Sequence, residues 1–328
     1  MTIMTSNRKR VSSIEQAPPR HWVGNGFPVS SMFSYDSAPS LSPFLLLDYA
    51  APADFLPSPS PRGVGEHPHR GFETVTVVYQ GEVEHRDSTG NKGRIGPGDV
   101  QWMTAASGIV HAEMHGREFT AKGGTMEMVQ LWVNLPARLK MTPPGYQDIV
   151  SPTIPVATLP AGAGTVRVIA GQFESARGPA RTQTPIDVWD MRLQAKKTAN
   201  FRIPEGHAAA LLFLRGGGLV NGADAVDEGD LAVLDRHGES VSLEAAADST
   251  ILVLSGAPID EPVVGYGPFV MNTEAEIEAA FADYRATEFG GWPWPDPAPV
   301  HGADPVRFAR HADGRVERRD SVVPTRIG

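Results

Sequence analysis

The stretches GEHPHRGFET, Gly65 to Thr74, and PGDVQWMTAASGIVHAEMH, Pro97 to His115, decide how the rest of the chain is read. The first sets His67 and His69 two residues apart, and the second does the same for His111 and Glu113. On a β-strand, positions i and i+2 project from one face. Each pair therefore aims two donors at one point. Two such strands side by side gather three imidazoles and one carboxylate around a single cation. Four N/O donors suit Fe, Mn, Ni, Cu or Zn, and the lack of a thiolate argues against a closed structural zinc site. A lone His-x-His is commonly incidental. Two pairs at strand spacing, joined by strand-like sequence and a Gly98-Asp99 turn, reinforce each other.

The flanking sequence is β-rich. Thr74-Val75-Thr76-Val77-Val78-Tyr79 is β-branched and aromatic, which predicts a strand. Strands are also predicted at Glu82 to Arg86, Val100 to Met103 and Met126 to Val133, with turns at Asp87 to Asn91 and Gly96 to Asp99. Upstream, Phe44 to Tyr49 is a short apolar run bounded by prolines, consistent with a buried strand. Residues 51 to 64, APADFLPSPSPRGV, read as a proline-rich loop at the rim of the metal pocket. Short strands at roughly 8–12-residue spacing imply a sandwich or barrel.

A connector from Pro136 to Tyr146 leads to a second strand-rich region. Its candidates are Thr165 to Ala170, Asp187 to Leu193, Ala209 to Leu214, Asp230 to Leu234 and Thr250 to Leu254. The halves share a faint repeat: Val77 to Gly81 followed by Gly98-Asp99, and Leu212 to Gly216 followed by Gly229-Asp230. The donors are not repeated. Glu205-Gly206-His207 stands for His67-Pro68-His69, and Ser242 stands for His111, so no metal is expected in the second half. Thr273 to Phe289 predicts a helix. Thr273 and Glu276 form a capping box, Ile277, Ala280, Phe281 and Tyr284 form an apolar face against a barrel wall, and Gly290 serves as terminator.

The chain has 328 residues, 41% hydrophobic and 20% charged, enough for two domains with buried cores. Formal net charge is −9, which disfavours direct nucleic-acid binding. There is no cysteine, so neither disulfides nor thiolate ligands contribute. No apolar run is long enough to span a membrane, and the N-terminus lacks an apolar signal core. The expected location is cytoplasmic, and the expected state is monomeric. Arg8, Lys9 and Arg10 read as a solvated arm with a short strand over Lys9 to Ile14.

HPHRGFET, HRDS, PGDVQWMTA and GIVHAEM closely resemble the pirin family, two-domain members of the cupin superfamily. The likeness covers most of residues 10 to 295, through GGWPWP. The looser cupin pattern is met by His67, His69, Glu73, Gly81, Gly108 and His111. The resemblance implies an all-β fold of two tandem cupin-type β-barrels (double-stranded β-helix or jelly roll) with a short C-terminal helix. The corresponding divisions are a metal-binding domain over 1–140, a domain without metal ligands over 141–295 and a tail over 296–328. It implies His67, His69, His111 and Glu113 as ligands of one divalent metal per chain, foremost Fe(II), with Zn, Mn, Ni, Cu or Co compatible. Glu73, the usual acidic ligand of cupins, moves out of the ligand set. The implied activity is that of a quercetin 2,3-dioxygenase acting on a flavonol-like molecule and O₂, with Glu113 also the catalytic base. The other implied role is a non-enzymatic coregulator or redox sensor acting through a protein partner. A sugar-phosphate isomerase would need cations at the metal, for which the motif region offers Arg70 and Arg86. Glu73 and His115 are candidates to orient a ligand, and His85 is expected to support a turn with Asp87 and Ser88. One departure is Ala106, where the family pattern has glycine.

Overall fold

The β-branched run at Thr74 to Tyr79 forms the middle of a strand, Phe72–Gln80. The computed structural model describes residues 7–295, 307–311 and 313–319. The chain divides into two compact units, each assembled from separated stretches of sequence. One comprises Arg20–Ser30, Leu47–Pro152 and Glu261–Gly328, and carries the histidine motifs. The other comprises Met1–Pro19, Ser31–Leu46 and Thr153–Asp260.

A sheet that carries strands of the histidine-bearing unit runs in the order Gly145–Ile149, Val100–Thr104, Phe72–Gln80, Gly124–Asn134, Phe44–Phe55, Phe27–Ser34 and His21–Val23, of which 44–46 and 31–34 are counted with the other unit. A second sheet runs Val316–Arg319, Arg307–Arg310, Lys92–Ile95, Val83–Asp87, Ile109–His115 and Gly63–His69. Side chains from both meet in one apolar cluster, including Phe27, Val78, Val83, Ile95, Met126 and Met128. Each such burial stabilises by roughly 1.5–3 kcal/mol. Phe44–Phe55 is twice the length expected of it, so the proline-rich loop shrinks to residues 56–62. Part of the tail forms a hairpin on the second sheet, Ala309 pairing with Gly93, while residues 296–306, 312 and 320–328 lie outside the described set.

In the other unit, a seven-stranded sheet and a four-stranded sheet enclose a core that includes Trp189, Met191, Leu211, Phe213, Leu243, Ile251 and Val253. The faint repeat has a physical basis in each unit. Gly98 N–H donates to Val78 O and Val78 N–H to Asp99 O; Gly229 N–H donates to Phe213 O and Phe213 N–H to Asp230 O. In both turns the aspartate accepts from the amide three residues earlier. The architecture is the all-β, two-barrel arrangement expected, with one helix near the C-terminus.

Three local expectations need correction. Helix Glu274–Thr287 has its Thr273–Glu276 capping box, but Glu288 ends it in the left-handed conformation at φ 48°, ahead of Gly290. Its apolar face packs on Phe269 and Met271 of the hairpin Val264–Met271, within its own unit, rather than on a barrel wall. Lys9 is fully buried; its ammonium donates to the carbonyls of His207, Asp235 and Arg236, so the basic arm is not all solvated. Ala106 sits at φ 43°, which explains why glycine is the residue of the family pattern there. The left-handed backbone costs an alanine roughly 1–2 kcal/mol.

Candidate metal centre

Strand Ile109–His115 lies between Gly63–His69 and Val83–Asp87, and its register sets the site. His111 is directly opposite His67. A β-bulge then intervenes, so Glu113 pairs with Val64 and not with Gly65. A bulge adds local twist and re-aims the side chains beyond it.

The three histidines converge. Their nearest ring nitrogens all lie within 4.8 Å of one another. Among the described residues, they are the one group of three or more donors placed to hold a metal. Glu113 is outside that set. It lines the same cavity, and its Oε1 accepts from Thr76 Oγ1 at 3.1 Å. Thr76 Oγ1 is also 2.8 Å from Gln130 Oε1 as placed. One hydroxyl proton cannot serve two acceptors, and amide oxygen and nitrogen are interchangeable by a flip. The consistent network has the Gln130 amide donating to Thr76 and Thr76 donating to Glu113.

Two of the imidazoles are pre-oriented. His67 Nδ1–H donates to Gly65 O at 2.8 Å, and His69 Nδ1–H to Pro268 O at 3.3 Å. This fixes the tautomer that leaves Nε2 as the donor atom, the usual arrangement behind a metal ligand. His111 is wholly buried, and among the described residues neither of its ring nitrogens has a hydrogen-bond partner. An orphaned buried imidazole is costly in a protein interior. A cation among the three nitrogens removes that cost, so the residues fit a bound metal. Burial lowers the pKa of His67; burial and the neighbouring imidazoles push His69 and His111 well down. All three are therefore neutral near pH 7 and compete little with protons for a cation.

A cavity of about 290 Å³ is lined by His67 and His69. Its walls include Val23, Phe27, Val29, Val64, Met128 and Trp132, with Glu113, Gln130 and Asp48 as polar points. Trp132 is stacked on Phe72, their centroids 4.2 Å apart. Of the expected rim residues in 51–64, Val64 alone is in the wall. Sequence reasoning did not single out Trp132, Gln130 or Thr76, nor the hairpin residue Pro268, which comes from far along the chain. Period-2 alternation from His-facing Phe72 would have found Thr76.

Neither of the two candidates for orienting a ligand does so. Glu73 alternates away from Thr76, and its carboxylate accepts from Thr104 Oγ1 at 2.6 Å. His115 Nε2–H donates to Gly26 O at 2.8 Å, and its ring packs among Phe27, Phe55 and Phe119. His85 is the reverse case. It does reach Asp87, but its ring is fully buried, stacked on Tyr146 and 5.5 Å from the His111 ring. Trp102 and Met103 are core residues as expected. Arg70 is held by Ser107 O and Asp283 beneath Phe289, and Arg86 lies on Trp294. Neither cation lines the cavity, which removes the support for a phosphate-binding isomerase.

Burial raises the Glu73 carboxyl from 4.5 to about 7, partly opposed by hydrogen bonds from Thr104 and Trp102. Between those values the unfolded chain has lost the proton and the folded chain keeps it. Stability therefore falls as pH rises from about 4.5 to about 7. Glu73→Gln removes this titration while keeping an acceptor for Thr104. The variant is expected to gain up to about 3 kcal/mol over the parent at pH 8, and none of that gain at pH 4.5. Urea unfolding at the two pH values checks it; a pH-independent difference would contradict the buried-carboxyl argument.

Two family profiles match the chain: pirin over residues 26–133 and the pirin C-terminal cupin domain over residues 188–290. A Pseudomonas aeruginosa protein provisionally named a quercetin 2,3-dioxygenase is 56% identical over 282 residues, covering 86% of this chain and 98% of that one. A pirin-like protein of Caulobacter vibrioides is 40% identical over 272 residues, 81% of this chain and 94% of its own. The crystal structure titled quercetin 2,3-dioxygenase from Acinetobacter baumannii is 50% identical. It superposes with a TM-score of 0.84 over 86% of this chain and 99% of that one. Among the described residues, no helix is long and apolar enough to cross a membrane.

Proposed function

We propose, from the premise that this chain belongs to the pirin family, that it is a metal-dependent dioxygenase opening the heterocycle of a flavonol such as quercetin. The observation that carries the reading is the apolar cavity lined by His67 and His69 of the histidine trio, together with Glu113. A purely metal-sensing protein needs no such space beside its metal. At about 290 Å³ the cavity is at the small end of ligand sites, which suits one flat aromatic molecule better than a bulky one.

His67, His69 and His111 would hold the cation, with Fe(II) the first candidate, and Glu113 would be the fourth ligand. When bound, the metal supplies a centre at which an electron-rich enolate and O₂ meet. The chain's own residues do the rest. Val29, Val64, Met128 and Trp132 receive the aromatic rings and exclude water from the reacting face. Thr76 and Gln130 fix one oxygen of Glu113, leaving Oε2 to take the proton from the flavonol 3-hydroxyl. The Pro268 carbonyl keeps His69 in its donor tautomer as charge builds at the site. Overall, both atoms of O₂ enter the product, at the two ring carbons that flank the hydroxyl-bearing carbon; both ring bonds to that carbon break, and it leaves as CO.

Glu113→Gln keeps an acceptor for Thr76 but removes the base. It is expected to lower kcat on quercetin by about 10²–10⁴-fold, the range for general base catalysis. Metal binding should weaken and still be measurable, since the three imidazoles persist. Turnover equal to the parent's, at equal metal content, would overturn the base assignment.

A further inference from the structure

The second unit holds a larger cavity, about 690 Å³, whose residues none of the chemistry above uses. It lies at one end of that unit's own core. Trp189, Ile251, Val253 and Leu211 belong to the apolar interior between the two sheets. Continuing each strand by its two-residue alternation leads to Asp187, Ser255 and Ala209, which are register partners across the sheet. The interior thus ends in a carboxylate and a hydroxyl where further aliphatic residues would pack.

These groups are organised. Ser255 donates to the Asp187 carboxylate, and His207 Nδ1 is 3.1 Å from Ser255 Oγ. With its proton given to Asp187, the serine oxygen accepts from His207 Nδ1–H. That fixes the tautomer and leaves Nε2 as a hydrogen-bond acceptor on a ring that lines the cavity. The loop closing the cavity is moored on the same carboxylate, since Gln172 N–H donates to Asp187 Oδ1 at 3.0 Å. Gly171, at φ +74°, makes this approach; a Cβ there would lie 2.1 Å from that oxygen.

The rim has the opposite sign to the chain as a whole. Arg177 and Arg181 line it from the loop, and among the described residues Asp187 is the sole acid in the lining. Beneath it the Lys9 ammonium, with Glu205, Asp235 and Glu239 around it, donates to the His207 carbonyl at 3.0 Å and fixes the backbone there. In a chain of net charge −9, a concave site with two guanidinium groups selects an oxyanion. The volume falls within the range of sites for small molecules. A floor offering an imidazole acceptor and a carboxylate receives hydroxyl donors.

We propose that this cavity binds a small hydroxylated organic oxyanion, a carboxylate or a phosphate ester, with Arg177 and Arg181 on the anionic group and His207 and Asp187 on its hydroxyls. The site is independent of the metal centre in the other unit and stands or falls separately from the dioxygenase reading.

Calorimetric titration of the full chain with gluconate and with glycerol 3-phosphate, at ionic strength held constant with chloride, tests it. Saturable binding of at least one probe is expected, and the tighter of the two identifies the anionic group. Arg177→Ala/Arg181→Ala should weaken it at least tenfold, with the circular dichroism spectrum and metal content unchanged. His69→Ala should leave it intact. No saturable binding of either probe over chloride, equal affinity in the double variant, or loss of binding in His69→Ala would each overturn the proposal.

Discussion

His111→Ala is expected to abolish metal binding and, with it, flavonol turnover. His67 and His69 are each tied to a backbone carbonyl through Nδ1, so they have partners with or without a cation. His111 has none, and it is the residue across the strands from His67 that closes the triangle. Two imidazoles on one strand cannot enclose an ion against a low-dielectric wall. Residues that only orient a ligand change metal affinity by about 10–100-fold. Loss of a direct donor exceeds that, so metal retained after dialysis should fall from near one per chain to a trace. His85, whose ring is next to that of His111, serves as the comparison. It bonds Gln101 and Asp87, and His85→Gln should retain metal within that smaller range. Metal content measured by elemental analysis decides this. A His111→Ala protein that keeps its metal would place the cation elsewhere.

The second large effect belongs to a residue distant from the metal. Lys140 is 1% exposed, and its ammonium donates to Gly71 O, Asn134 Oδ1 and Val270 O at 2.6, 2.7 and 3.0 Å. Burial lowers its pKa to about 8, so it is still charged at pH 7. Gly71 follows the His69 loop, and Val270 lies in the hairpin that carries Pro268 onto His69. One ammonium therefore ties together the two segments that hold that histidine. Lys140→Met removes the buried donor shared by three acceptors, of which Asn134 Oδ1 keeps the Leu135 N–H. Breaking a buried charged network of this kind costs about 3–5 kcal/mol, a fall in Tm on the order of 10 °C for a unit of this size. The same variant should bind metal more weakly, because the His69 tautomer is less firmly set. A loss below about 1 kcal/mol, in the range of an exposed pair, would show that the hairpin is held by its apolar contacts with Phe281 and Ile277 instead.

The strand content and the three histidines were legible because both depend on short-range periodicity. β-Branched runs, Gly-Asp turns and i, i+2 spacing survive in one dimension. What failed depends on register or on distant chain. The bulge between His111 and Glu113 cannot be read from spacing, and it sets the Glu113 carboxylate beside Thr76 in the wall of the same cavity. Glu73 follows the cupin pattern, but one position of alternation sends it to the opposite face of its sheet from Thr76. Lys9 read as solvent-facing by composition, and nothing in the Pro136 to Tyr146 connector marked Lys140 as buried. Each is buried because unpaired carbonyls from remote segments converge on its ammonium. The end of the helix was assigned to glycine on propensity, whereas Glu288 and Phe289 adopt positive φ where Phe289 packs on Phe269.

The most direct test of the central claim couples two numbers on one preparation of untagged protein. Metal is loaded one ion at a time, beginning with Fe(II), and the bound ion per chain is determined. Quercetin loss and CO release are then followed in air. The expected result is about one ion per chain and one CO for each flavonol consumed, both lost in His69→Ala. A full complement of metal at the three histidines, with no flavonol consumed above the His69→Ala background under any ion, would contradict it.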